Sequence, residues 1–235
     1  MKNNDKFIKG VICVNIFMFI VSIVFSRKIP GLSANPLTFL SPGSDSLFAM
    51  GATGSIPVGS YHRWWSLVSA GFLHGGILHI FFNMAAFKQI APFVVRVYGI
   101  WRMSAIYILG SIAGFFLSNL AGVAFTIGAS ASVCSLIGTL LYYGKSRGDV
   151  FGNSLFRQVR GWVIGLFVFG LIIPGINNWA HGGGIAAGIV LGYILGYEQK
   201  TRENVFHRFI GAGCIGFTAV ILVVSVVSGF LSRFS

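Results

Sequence analysis

The stretch TIGASASVCSLIG, residues 126–138, contains four serines and threonines together with several tiny residues. The other apolar segments of the chain are rich in Leu, Ile and Phe, the side chains expected on a helix that faces lipid. Small residues instead allow two helix backbones to approach closely, and a hydroxyl held in such a segment can act as a nucleophile. We therefore expect this stretch to pack against another helix and Ser130 to carry chemistry.

The composition predicts a membrane protein. Hydrophobic residues make up 55% of the chain and charged residues 9%, with a mean hydropathy of +0.81, outside the usual range of soluble domains. Apolar runs long enough to cross a bilayer recur along the whole chain. We predict an all-α, polytopic membrane helix bundle with seven spans, at residues 8–26, 66–94, 103–122, 128–144, 161–175, 179–197 and 208–231.

The basic residues are distributed unevenly between the predicted connections. With the N-terminus in the cytoplasm, 13 of the 17 Lys and Arg residues fall on the inner side, and only Arg27, Lys28, Arg63 and Arg233 fall outside. This is the positive-inside pattern, so the net charge of +12 reports orientation and not nucleic-acid binding. We expect an integral protein of a bacterial-type plasma membrane, with the N-terminus cytoplasmic and the C-terminus outside.

The predicted spans divide the chain into a core and a terminal addition. Residues 1–7 are expected to form a cytoplasmic N-terminus, 8–197 a six-span core, 198–207 a cytoplasmic connection, and 208–235 an additional C-terminal span and tail. Within the core, residues 27–65 mix Gly, Ser and Pro with Leu, Phe and Met, which predicts short elements lying in the outer leaflet. No small-x-small cleavage site follows the first span, so we expect this helix to be retained.

Carboxylates and metal-ligand motifs are missing from the predicted spans. All five Asp and Glu residues fall in loops or at span ends, which argues against an aspartyl membrane protease and against proton-coupled transport. The chain has no HExxH motif, and Cys13, Cys134 and Cys214 lack metal-ligand spacing. We predict no metal and no cofactor, and the sequence makes no prediction of an oligomeric state.

Four polar side chains lie at a common depth in the predicted spans. His79 and Asn83 are four residues apart on one face of the second span, while Ser130 and His181 lie near the starts of the fourth and sixth spans. These three spans run from outside to inside, so all four side chains are expected near the outer face. Interhelical hydrogen bonding is one explanation, because such bonds stabilise membrane bundles. The shared depth favours a common active site.

Two rows of small residues predict which helices meet. On the fourth span, Ser130, Cys134 and Gly138 repeat every four residues. The sixth span carries a glycine stripe at the same spacing: Gly184, Gly188, Gly192 and Gly196. Contact between these two faces would bring the Ser130 hydroxyl within hydrogen-bonding distance of His181. Ser132 lies about 200° around the helix from Ser130 and is expected to face away.

A serine and a histidine are sufficient for acyl transfer when the imidazole takes the hydroxyl proton and hydrogen-bond donors surround the developing oxyanion. The His79 ring, the Asn83 amide and the backbone N–H of Ser130 are suitable donors. In a membrane, this combination of groups predicts cleavage of a peptide bond by water admitted from outside.

Three motifs carry a family resemblance: HGGILHIFFN at residues 74–83, GASA at 128–131 and AHGGGIAAG at 180–188. With these three motifs in this order, the chain resembles a rhomboid intramembrane serine protease over about residues 8–197. The seventh span would be a common variation in that family. The resemblance implies transmembrane protein substrates, no cofactor, and the following roles: Ser130 as nucleophile, His181 as base, His79 and Asn83 as oxyanion donors, and His74, Gly128, Gly184 and Gly188 as supporting residues.

Two positions differ from the usual pattern of the family. Ala131 follows the nucleophile where a glycine is usual, and Trp65 is followed by Ser66 in place of an arginine, with Arg63 displaced upstream. Since Ser130 and His181 are both retained, an active protease is the leading hypothesis. The alternative is a catalytically silent rhomboid-like protein that binds or scaffolds transmembrane clients, and a small-solute transporter is a weaker third hypothesis.

Overall fold

The computed structural model describes residues 2–27, 39–173 and 175–234, and the regular secondary structure within these ranges is entirely helical. Seven long helices correspond one to one with the predicted spans, which confirms the all-α bundle. The helices are α1 (Lys2–Val24), α2 (Ser44–Ala49), α3 (Ser66–Ser69), α4 (Ile77–Tyr98), α5 (Ile100–Leu120), α6 (Ser130–Arg147), α7 (Val150–Ile172), α8 (Asn178–Leu195) and α9 (Val205–Phe234), with a π-helical turn at Ile56–Ser60 and a 3₁₀ turn at Ala70–Phe72.

Five of the long helices, α1, α4, α5, α7 and α9, are long and apolar enough to cross a membrane. The other two, α6 and α8, are 18 residues long each and contain the two rows of small residues that the sequence predicts to meet. These two helices pack against each other, and α5 packs against both of them. Helix α6 is mostly buried, so protein surrounds it in place of lipid and an apolar surface is not required there.

The predicted second span is divided into two parts. Helix α3 and the 3₁₀ turn end at Phe72, and α4 begins at Ile77. His74 and two glycines, Gly75 and Gly76, occupy the break. His74 therefore lies on an irregular segment before α4 and not on a continuous helix with His79.

Helix α7 begins at Val150 and not at residue 161, because its polar first turns continue the helix beyond the apolar stretch. Asp149 caps it: its carboxylate accepts a hydrogen bond from the Gly152 N–H at 2.7 Å. The Arg147 guanidinium beside Asp149, together with this N–H, holds the pKa of the carboxyl below its usual range. The charged side chains that suggested a loop are solvated on an exposed helix surface.

The described part of the predicted outer loop, residues 39–65, contains two short elements, α2 and the π-helical turn. The predicted loop residues 28–38 lie outside the described residues. Thr53 and Thr126 form an isolated antiparallel β-bridge, which places the loop beside the segment that leads to Ser130.

Helix α9 packs along α5 and reaches the outer loop. The Ser225 hydroxyl donates to the Met50 carbonyl, and Gly229 lies against Met50 and Phe25. At the opposite end, the fully buried Arg102 donates to the Gly196 and Thr201 carbonyls at 2.8 and 2.9 Å. Arg102 thus holds the connection that precedes α9, and Gly211 in the first turns of α9 lies against the Trp101 backbone.

Candidate active site

Ser130 is the first residue of α6. The preceding residue, Ala129, is the N-cap, and no side chain caps this helix. The first backbone N–H groups of a helix have no intrahelical acceptor, and the dipole of the helix favours negative charge at this end. The Ser130 hydroxyl thus lies beside backbone donors that can stabilise an anion.

Gly128 brings the backbone into contact with His79. Its φ of +122° is a conformation that favours glycine. A Cβ placed on it would lie 2.6 Å from His79 Nε2 and 3.8 Å from Ser130 Oγ. His79 Nδ1 accepts a hydrogen bond from the Gly75 N–H at 3.3 Å. In a neutral ring Nε2 then carries the proton, so this N–H is a donor close to Ser130.

His74 contacts both the His79 ring and the backbone just before Ser130. Its side chain is fully buried, and its ring contacts the His79 ring edge-on with centroids 5.1 Å apart. His74 Nε2 accepts from the Ala129 N–H at 3.5 Å. His74 is therefore in a position to hold both His79 and the residue before Ser130.

Asn83 is buried one turn below His79 on α4. Its amide nitrogen donates to the His79 carbonyl at 2.8 Å. This bond fixes the side chain against its own helix, and it uses only one of the two hydrogens of the amide. The second hydrogen is available for an acceptor bound near His79.

His181 lies in the first turn of α8 and is 7% exposed. Asn177 caps the helix, because its side-chain oxygen accepts from the Ala180 N–H at 3.1 Å. Within the described part of the chain, His181 Nδ1 is buried and has no hydrogen-bond partner. Among the described residues, no Asp or Glu side chain is hydrogen-bonded to this nitrogen.

The glycines of α8 hold it against α6. A Cβ on Gly184 would overlap the Ala131 carbonyl, and a Cβ on Gly188 would overlap the Ser135 carbonyl. Because Ala131 follows Ser130 and Gly184 is one turn after His181, this contact brings the two side chains to neighbouring helix ends. Ser130 and His181 both lie in the described residues and form no direct hydrogen bond with each other, so the predicted bond between them is not observed.

The predicted contact face differs in two details from the observed one. On α6 the residues nearest the glycines are Ala131 and Ser135, so Ser130 lies at the edge of the interface with its hydroxyl outside the tight packing. Gly196 is not part of the stripe, because it ends α8 with a φ of +65°. Gly138 faces the Ile185 backbone, as the small-residue pattern predicts.

Both departures from the family pattern have structural explanations. The Ala131 methyl group is buried next to Gly114 of α5, which leaves room for it. The Ser66 hydroxyl donates to Thr53 Oγ1 at 2.9 Å. The displaced Arg63 donates to the Phe48 carbonyl at 2.7 Å and lies over the ring of that residue.

Comparisons with known proteins identify the family of this chain. The Rhomboid domain family model matches residues 61–198. RHOMBOID-like protein 4 of Arabidopsis thaliana is 32% identical over 213 residues, which are 86% of this chain and 54% of that protein. Rhomboid protease GluP of Bacillus subtilis (strain 168) is 28% identical over 224 residues, 94% of this chain and 39% of that protein. The chain thus spans about half of the length of the Arabidopsis relative and about two fifths of the length of the Bacillus relative. Since the family model covers more than half of the chain, this integral multi-pass membrane protein belongs to the rhomboid family.

Proposed function

We propose that this protein is an intramembrane serine protease that cleaves transmembrane protein substrates near the outer membrane face. In this reaction His181 takes the Ser130 proton as the hydroxyl oxygen attacks the scissile carbonyl carbon. The resulting oxyanion accepts hydrogen bonds from the Ser130 N–H, His79 Nε2–H and the Asn83 amide. His181 then gives the proton to the leaving amine, and water hydrolyses the acyl-enzyme by the same route.

The observation that carries this proposal is the contact of Gly184 with the Ala131 carbonyl. It joins the two helix starts that bear Ser130 and His181, while Gly128 joins the His79 ring to the same place. The name of the Bacillus relative, Rhomboid protease GluP, points to the same activity.

The substrate class follows from the geometry of a helix. A transmembrane helix uses its carbonyl groups in its own hydrogen bonds, so a substrate must unwind locally before Ser130 can attack it. We expect cleavage beside Gly, Pro or other weak helix formers near the outer boundary of a single-span protein. Replacing those residues by Leu should suppress cleavage in a reconstituted assay, whereas undiminished cleavage of an all-Leu span would contradict this mechanism.

A fluorophosphonate probe tests the proposal directly, because it reacts covalently with an activated serine. We expect labelling of the detergent-solubilised protein at Ser130, and loss of labelling and of proteolysis in Ser130→Ala and His181→Ala. Ser132→Ala is the matched control, since Ser132 is buried away from the site beside Gly71. A correctly folded wild-type protein without labelling or proteolysis would instead support the catalytically silent binder.

A further inference from the structure

One asparagine side chain joins the helix of His181 to the segment that ends at Ser130. Asn177 Nδ2 donates to Ser118 Oγ at 2.6 Å and to Thr126 Oγ1 at 2.9 Å, while Asn177 Oδ1 accepts from the Ala180 N–H at 3.1 Å. Both amide hydrogens and the amide oxygen are therefore used. The three partners belong to α5, to the connection before α6, and to the first turn of α8.

The Thr126 end of this link is itself fixed. Its backbone exchanges two hydrogen bonds with Thr53, at 3.1 and 2.7 Å, and Thr53 Oγ1 accepts from the buried Ser66 hydroxyl. Two residues later, the Gly128 N–H donates to the Ala70 carbonyl at 2.9 Å. A side chain that binds Thr126 thus binds a well-fixed part of the molecule, and Thr126 precedes Ser130 by only four positions.

The other end of the link has the same spacing to the second catalytic group, because Asn177 precedes His181 by four residues. We infer that Asn177 is a positioning residue, which acts through Thr126 and Ser118 to hold His181 at its working distance from Ser130. This inference rests on the proposed protease function. It gives Asn177 a role beyond capping α8, since a cap needs only the side-chain oxygen.

Three substitutions distinguish the capping role of Asn177 from its hydrogen bonds to Ser118 and Thr126, which are called the link. Asn177→Ser keeps a good N-cap but is too short to reach the two hydroxyls. Thr126→Val keeps the shape of the side chain and the backbone bridge but removes the Oγ1 acceptor. Asn177→Asp keeps the cap and the link, because the Ser118 and Thr126 hydroxyls can donate to a carboxylate. Asn153→Ser, at an exposed asparagine of α7, is the control.

We expect Asn177→Ser and Thr126→Val to lower kcat on a model transmembrane substrate by about 10- to 100-fold, with a KM near that of the wild type, since small displacements of catalytic groups act mainly on turnover. The double variant should lose no more than the worse single variant, because both remove the same link. Asn177→Asp should return to within about threefold of the wild-type kcat, since its hydrogen bonds remain. Asn153→Ser should not change kcat.

The inference is overturned if Asn177→Ser retains the wild-type kcat, if the two losses multiply in the double variant, or if Asn177→Asp is as slow as Asn177→Ser. A loss that only follows the fall in Tm would also reject positioning in favour of simple stability. Failure of the wild-type chain to label with the probe would refute the proposed function instead. Thermal unfolding of the wild type, Asn177→Ser, Thr126→Val and their double variant would then decide whether Asn177 and Thr126 are linked, because coupled changes in Tm require no activity.

Discussion

Position 128 requires glycine for two separate reasons. Its φ of +122° disfavours any residue with a Cβ, and such a Cβ would press on the His79 ring. We predict that Gly128→Ala lowers the rate of probe labelling at Ser130 by about 100-fold or more, comparable to the loss of an oxyanion donor. The rate is measured in detergent with the unfolding temperature as a check on folding.

Gly122 provides the matched control for this substitution. It lies in the same connection and has a φ of +78°, but a Cβ on it would meet open space. Gly122→Ala also places a Cβ at a positive φ but makes no contact with His79, so its labelling rate should stay near that of the wild type. Equal rates for the two variants would show that the contact with His79 does not matter.

The oxyanion donors differ from the nucleophile in what their removal should do. Without one donor the reaction still has its nucleophile and base, so we predict that His79→Ala and Asn83→Ala reduce kcat by about 100- to 1,000-fold without abolishing it. The double variant need not show the product of the two effects, because groups that act together are not additive. The kcat for proteolysis of a model substrate is measured for the two single variants and for the double variant.

Phe82→Ala is the control for the donor variants, because Phe82 is 62% exposed on α4, between the two donors in sequence. Wild-type turnover in His79→Ala and Asn83→Ala would remove these residues from the oxyanion site. It would leave the backbone N–H groups at the start of α6 as the remaining donors.

The contact between α6 and α8 links packing to chemistry. Even a methyl group on Gly188 would overlap the Ser135 carbonyl, and backbone cannot move aside as a flexible side chain can. We predict that Gly188→Ala displaces α8 and lowers kcat by about 100-fold, the expected cost of moving a catalytic group by about 1 Å. The variant should still insert as a helix, because the backbone hydrogen bonds of a membrane helix are internal.

Gly182→Ala tests this explanation on the same helix. Gly182 is exposed, and a Cβ there would have no neighbour within 4 Å. Its activity should equal that of the wild type, while Gly188→Ala should be slow with unchanged circular dichroism. Full activity in Gly188→Ala would mean that the glycine contact does not set the distance between Ser130 and His181.

The long helices could be predicted from the sequence because a lipid environment imposes a simple pattern, about 20 apolar residues per span. This pattern does not predict the parts of a helix that extend beyond the lipid, or the places where a helix is interrupted. Arg157 and Arg160 suggested a loop, yet they lie on the exposed start of α7. The break before α4 was missed because the apolar residues on both sides of it were read as one span, although Gly75 and Gly76 are a turn signal.

The candidate site, like the fold, could be predicted only in part from the sequence. Ser130, His181, His74 and His79 could be singled out from the sequence because ionisable and hydroxyl groups are costly in a membrane. Asn177 was missed, although asparagine before a helix is a known capping signal. Its role depends on Ser118 and Thr126, which are 59 and 51 residues away in sequence, and nothing local indicates that contact.

The two ends of the helix bundle differ in charge and in the hydrogen bonds that hold their helices together. At one end, Glu203 accepts hydrogen bonds from the first N–H groups of α5, and Arg102 pairs with Glu198. At the other end, Arg233 donates to the carbonyls at the end of α1. The site lies toward this second end, because α6 and α8 both begin there with Ser130 and His181.

The orientation of these two ends in the membrane is predicted by the basic residues, which are concentrated at the end that holds Arg102. We predict that Ser44→Cys reacts with a membrane-impermeant thiol reagent in intact cells and that Val150→Cys reacts only after the cells are opened. Both positions are exposed, Val150 by 88%, so a lack of reaction would report the side of the membrane and not burial. The unsubstituted protein is the control, because its own Cys13, Cys134 and Cys214 lie on the long helices α1, α6 and α9. The opposite pattern would place Ser130 and His181 at the cytoplasmic face, so water and substrate would have to reach the site from inside the cell.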